Sequence, residues 1–243
     1  MKNKYIILPL LTLAAVSTLS CNRVKKTAAE EEREKWLYSL NDSIAEYKAR
    51  IESATEELTS LQTEIGSMIV NFDHISNPRL VEGYYIYKGW GSRYPLKQTG
   101  IVARITEEEG FEIIATLSGG NFNQLSVSAG GETASTDIVP HDQALNYRAG
   151  KLNTVCFYGE RADSVGEFIA DHMPDQITIT FLNGNKTGSY TIPADQKEMI
   201  AATWQLFFSQ RSSHHLEKEI PMLSKRINVC RRMLEANDST KND

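Results

Sequence analysis

The chain has 243 residues, of which 41% are hydrophobic, and its 26 basic and 31 acidic side chains leave a formal net charge of −5. Mild acidity provides no broad cationic face of the kind that follows a phosphate backbone, so nucleic acid is not an expected partner. The length allows one or two domains.

Residues 1–20 read as a signal peptide. Lys2 and Lys4 form a basic start, and Ile6 to Leu19 form an apolar run that Pro9 interrupts. That run is too short for a comfortable membrane span and ends on small residues before a cysteine. Thr18-Leu19-Ser20-Cys21 resembles the lipobox of bacterial lipoproteins, although its Leu stands two residues before the cysteine where that family has it three before. The resemblance implies cleavage before Cys21, acylation of Cys21 and attachment to a membrane through the N-terminal lipid. Asn22 is not the Asp that resembles an inner-membrane retention signal, which favours the outer membrane with the protein facing the periplasm. Arg23, Lys25 and Lys26 would either rest on anionic headgroups or begin a solvated tether.

From Thr27 a helical pattern begins. Thr27 and Glu30 have the form of a capping box. Apolar residues then recur at gaps of three and four: Leu37, Leu40, Ile44, Tyr47, Ile51, Ala54, Leu58, Leu61, Ile65, Met68, Phe72 and Ile75. This is a coiled-coil seam, and Asn77-Pro78 closes it. The first unit is therefore read as 21–77, a tether and first helix.

Residues 78–193 change character. Period-two stretches predict strands at Gly83–Trp90, Gly100–Ile105, Phe111–Leu117, Asn123–Val127 and Leu152–Phe157. Ile177–Leu182 and Lys186–Ile192 flank Asn183-Gly184, the clearest hairpin signal in the chain. Asp163 is a plausible N-cap for one interposed helix with Val165, Phe168 and Ile169 on one face. The region reads as a mainly-β head.

Pro193 opens a second heptad run over 194–237, with Met199, Ala202, Leu206, Ser209, Ser213, Leu216, Ile220, Leu223, Ile227, Cys230 and Leu234 on its seam and Pro221 inside it. A polar tail, 238–243, follows. An antiparallel match of the two seams puts Leu40 opposite Leu234, Ile51 opposite Leu223 and Leu58 opposite Leu216. The expected fold class is α+β: a long antiparallel coiled-coil hairpin enclosing the mainly-β head. Self-pairing of each helix in a dimer is the alternative, so the oligomeric state stays open.

Chemistry is sparse. None of the five histidines has a Cys or His partner at ligand spacing, so no metal and no cofactor are expected. Cys156 and Cys230 are expected as buried free thiols. His141 and Asp142, with Asn146 and Tyr147 following, form the most functional-looking loop, although the favoured reading is a surface turn in which Asp142 and Asn146 bond local backbone. Tyr84, Tyr87 and Trp90 belong to an aromatic cluster that either fills the core or forms a binding patch. No catalytic set is expected, and Tyr84, Tyr87, Trp90, His141, Asp142 and Tyr147 are the candidate binding residues. These features suggest a non-enzymatic, lipid-anchored envelope protein whose coiled-coil stalk presents a β head to a protein partner. The alternatives are a glycan- or peptidoglycan-binding head, or a hydrolase or transferase with its site near His141 and Asp142.

Overall fold

The computed structural model describes residues 27–77, 82–108, 110–142 and 144–239. The signal peptide, Cys21 and the basic residues after it lie outside the described residues.

Helix α1 spans Ala28–Ile69. Its Thr27 hydroxyl accepts from the Glu30 amide, and the Glu30 carboxylate accepts from the Thr27 amide at 2.7 Å, closing the capping box. The helix stops earlier than its seam. Phe72 and Ile75, which fit the heptad beat, lie in strand β1 (Phe72–Asn77). There Phe72 meets Tyr87 edge-on, with ring centroids 5.6 Å apart. Their three-residue spacing puts them on one helical face but on opposite faces of a strand.

Two sheets follow. The first has six strands in the order β1-β2-β3-β4-β8-β7, where β2 is Glu82–Tyr87, β3 Gly100–Thr106, β4 Phe111–Ser118, β7 Asn146–Ala149 and β8 Leu152–Tyr158. The second has the order β10-β9-β5-β6, where β5 is Gln124–Ala129, β6 Glu132–Ser135, β9 Thr178–Asn183 and β10 Asn185–Thr191. Every strand pairing is antiparallel. Gly184 takes the positive φ of 71° that the tight β9–β10 turn requires.

Helix α2 (Glu160–Asp171) lies against the sheets and α3. It starts earlier than Asp163 would place it: Gly159 is its N-cap, and Asp163 is free to pair with Arg211 at 3.0 Å. Helix α3 spans Ala194–Ser239 and runs antiparallel to α1 over its distal part. Arg50 bonds both carboxylate oxygens of Glu219, at 2.8 and 2.7 Å, and Arg33 bonds the side chain and carbonyl of Asn237.

This arrangement corrects the expected fold class. The molecule is a mixed α+β structure with three helices and two sheets, not a two-helix coiled-coil hairpin enclosing a separate head. The overturning feature is the first half of α3. Met199, Ile200, Trp204, Leu206 and Phe207 are buried in the same core as the sheets. Phe111 of β4 lies 5.2 Å from the Trp204 ring and 5.6 Å from Phe207. A side chain of this size contributes about 1.5–3 kcal/mol when fully buried, so α3 is a structural layer of the sheet region. Heptad spacing cannot distinguish a helix buried against another helix from one buried against a sheet, because both demand an apolar stripe.

Across the interior, Phe122 packs between the sheets, 6.5 Å from Phe157 of β8 and 4.9 Å from Phe181 of β9. Cys156 and Cys230 are free and half-buried rather than fully buried.

Candidate functional site

In a strand, alternate residues face opposite sides, and the first sheet uses this to separate core from site. Ile101, Ala103, Ile105, Phe111, Ile113, Val155 and Phe157 are buried. The intervening Arg104, Thr106, Glu112, Ile114, Thr154, Cys156 and Tyr158 line a cleft of about 650 Å³ on the other face. Gly83, Glu107 and Glu108 border it on one side, and Ala144, Leu145 and Tyr147 on the other. Tyr94, from the segment after β2, forms part of the wall.

At its centre are Arg104 and Glu112, directly opposite each other in the β3–β4 register. The Arg104 Nε donates to a Glu112 carboxylate oxygen, and the two side chains are only 16% and 13% exposed. The guanidinium lies 4.5 Å from the Tyr84 ring centroid and 5.4 Å from that of Tyr94, so it is held by cation–π contacts as well as by charge. Burial pulls the Arg104 pKa down, but Glu112 outweighs this and holds it above its ordinary value. Burial raises the Tyr94 phenol pKa. Burial, and then the Glu112 charge, push the Cys156 thiol up to about 12.

The rim is equally ordered. Glu107 reaches His74 Nε2 with one oxygen at 2.7 Å and accepts from the Gly83 amide with the other at 3.1 Å. A Cβ at Gly83 would overlap the Glu107 carboxylate, so a larger residue there would turn that flexible side chain away from the Gly83 amide.

The sequence candidates separate. Tyr147 lines the cleft at 37% exposure, whereas Tyr84 reaches it only through its ring contact with the Arg104 guanidinium. Tyr87 points to the opposite sheet face, where its hydroxyl donates to Glu198 of α3 at 2.9 Å, and that bond raises its pKa. Trp90 is buried beneath the Arg93 guanidinium. Asp142 caps its own turn: one oxygen accepts from the Ala144 and Leu145 amides, at 2.5 and 2.8 Å. The Leu145 and Ala144 amides hold its carboxyl below the usual range. His141 opens onto a separate pocket of about 310 Å³ lined by Asn121, Asn123, Asn146, Arg148, Asn153 and Asn183 among others. His141 and Asp142 therefore do not converge with the aromatic residues on one site.

That asparagine pocket is built on two buried side-chain amides, Asn146 and Asn153. Asn146 donates to the Val139 and Phe122 carbonyls, and Asn153 donates to the Asn146 side chain while accepting from the Phe122 amide at 2.8 Å. These two buried amides fasten the connection before β7 onto β8. The Arg104–Glu112 pair is not among the sequence candidates, although the sequence carries a signal for it. Each is the lone charge in an otherwise apolar or small-residue strand, GIVARIT and FEIIATLS, at matching distances from the intervening turn.

Among the described residues no group of three or more His, Cys, Asp or Glu could hold a metal ion, and no helix is long and apolar enough to cross a membrane. The chain matches no protein-family model, no curated protein and no solved structure.

Proposed function

We propose that the protein is a non-enzymatic, lipid-anchored component of a bacterial cell envelope that binds a partner protein in the cleft on the first sheet. The observation that carries the binding reading is the state of the cleft's reactive groups. Glu112 is held by Arg104, Glu107 by His74 and the Gly83 amide, and Cys156 by burial. Such groups supply fixed charge and shape rather than a proton relay or a nucleophile. Tyr147 and Tyr158, at 37% and 46% exposure, give the cleft amphipathic anchors of the kind that dominate protein interfaces. The anchor rests on the lipobox-like run ending at Cys21.

The test is chemical crosslinking in intact envelopes, comparing wild type with Tyr147→Ala and His141→Ala. Tyr147→Ala should lower recovery of the wild-type partner at least tenfold with unchanged thermal unfolding, whereas His141→Ala should leave it intact. The reverse pattern would place the site in the asparagine pocket. A wild-type N-terminal peptide whose mass shows no acyl chain on Cys21 would remove the anchor.

A further inference from the structure

The distal half of α3 carries a second pattern, on the side away from the core. His215, Lys218, Met222, Lys225, Val229 and Arg232 follow one another at gaps of three and four, which keeps them on one helical face. All six are exposed, with Met222 at 51% and Val229 at 49%. Toward the core the same row continues through Arg211, which Asp163 engages, and Phe208. From Lys218 to Arg232 cationic and apolar side chains alternate on the row, and none of its α3 positions is acidic, in a chain whose net charge is −5. The neighbouring Glu219 is turned to Arg50.

Helix α1 extends this surface at one end. The Arg50–Glu219 contact fixes the register of the two helices, and two heptads toward the free end the same register sets Trp36 opposite Met233. These are 43% and 45% exposed. The end at which Arg33 bonds Asn237 is also the one nearest the acylation candidate in sequence: five residues separate Cys21 from Thr27, six steps that reach at most about 22 Å.

We propose that the apolar–basic strip on distal α3, ending at Trp36 and Met233, docks on the surface of an anionic lipid bilayer. Cations flanking apolar side chains on one helical face match a layer of anionic headgroups over hydrocarbon. A symmetric contact with a second copy would instead set this row of cations against itself. The inference deepens the lipid-anchor reading, but its affinity comes from the strip rather than the acyl chain. Each cation near an anionic surface strengthens attachment about fivefold.

Tryptophan fluorescence reports it directly, because of three tryptophans Trp90 and Trp204 are 5% and 9% exposed and Trp36 is the open one. The full chain, produced in a bacterial envelope, is reconstituted into vesicles with bromine-labelled acyl chains, either equal parts phosphatidylglycerol and phosphatidylcholine or phosphatidylcholine alone. Quenching is expected in the anionic vesicles. It should fall at least twofold in phosphatidylcholine and in the triple variant Lys218→Glu, Lys225→Glu, Arg232→Glu, and vanish in Trp36→Phe. Matched thermal unfolding of the triple variant guards against misfolding. Absent quenching, or equal quenching in the triple variant or in phosphatidylcholine, overturns the proposal. So does an unquenched protein in which crosslinks join the strips of two copies. The mass of the N-terminal peptide separates the two claims: an unacylated chain that still shows phosphatidylglycerol-dependent quenching removes the anchor and keeps the strip, and an acylated chain without quenching does the opposite.

Discussion

Gly66 of α1 and Gly166 of α2 are both helical, yet they face opposite surroundings. A Cβ at Gly66 would meet nothing within 4 Å, so Gly66→Ala gains helix propensity at no steric cost and should stabilise the protein by about 0.5–1 kcal/mol. A Cβ at Gly166 would come within 2.6 Å of the Phe111 ring and 2.7 Å of Trp204. Rigid rings on both sides cannot yield cheaply, so Gly166→Ala should cost about 1–3 kcal/mol despite the same propensity gain. Urea denaturation of the two variants should show midpoints shifted in opposite directions. Cys156 provides a pH-dependent case. With its thiol pushed up to about 12, the reactive thiolate is scarce at pH 8, and alkylation in the folded protein should be about a thousandfold slower than for an ordinary thiol. Its rate should rise about tenfold per pH unit to near pH 11, measured by mass spectrometry after timed iodoacetamide treatment. The sign for stability follows. The unfolded thiol ionises above about pH 8.5 while the folded one stays neutral, so its contribution is present below that pH and is lost as pH rises toward 12.

Among the elements, α3 shows how much local preference can be overridden. Pro221 lies inside an otherwise continuous helix and removes one main-chain donor, while Leu216, Leu223 and Ile227 around it stay buried. Because Pro221 is exposed, Pro221→Ala should restore the bond to the Glu217 carbonyl without disturbing packing. The expected gain is about 1–3 kcal/mol, read as a higher urea midpoint. An unchanged midpoint would mean that the helix bends at this site to follow α1. The end of α1 makes the converse point. Met68, Phe72 and Ile75 keep a perfect helical beat, but Phe72 and Ile75 pair with Tyr87 and Tyr84 in the sheet. Cross-strand hydrogen bonding and burial of Phe72 against Tyr87 outweigh one more turn of solvent-exposed helix.

At the scale of the molecule, the first half of α3 binds the helical and β parts into one core. Trp204 is 9% exposed and packs against Phe111 and Phe207, so Trp204→Ala should cost about 3–5 kcal/mol. The loss should appear in the sheets as well as in the helices. Urea transitions followed by far-ultraviolet circular dichroism and by the environment of the half-buried tyrosines should remain coincident and move together. Transitions that separate, with the sheets unfolding unshifted, would mean that α3 is only an appendage.

Periodicity alone determined where the two long helices and most strands lie, because the 3.6- and 2-residue repeats are local consequences of backbone geometry. Thr27–Glu30 and Asn183-Gly184 worked as punctuation for the same reason: capping and tight turns are satisfied within a few residues. What each apolar stripe packs against was decided only in three dimensions. The stripe on α3 meets a sheet in its first half and α1 in its second, and a heptad pattern is the same for both. The cleft, too, is a tertiary product. Arg104, Glu112 and Tyr147, with Tyr84 behind Arg104, come from β3, β4, β7 and β2, which the five-strand order β2-β3-β4-β8-β7 brings together and no single stretch encodes, whereas His141 and Asp142, adjacent in sequence, are drawn apart into a pocket and a turn. Neighbours along a chain share a backbone but seldom a direction, and it is the pleat of the sheet that gathers side chains onto one face.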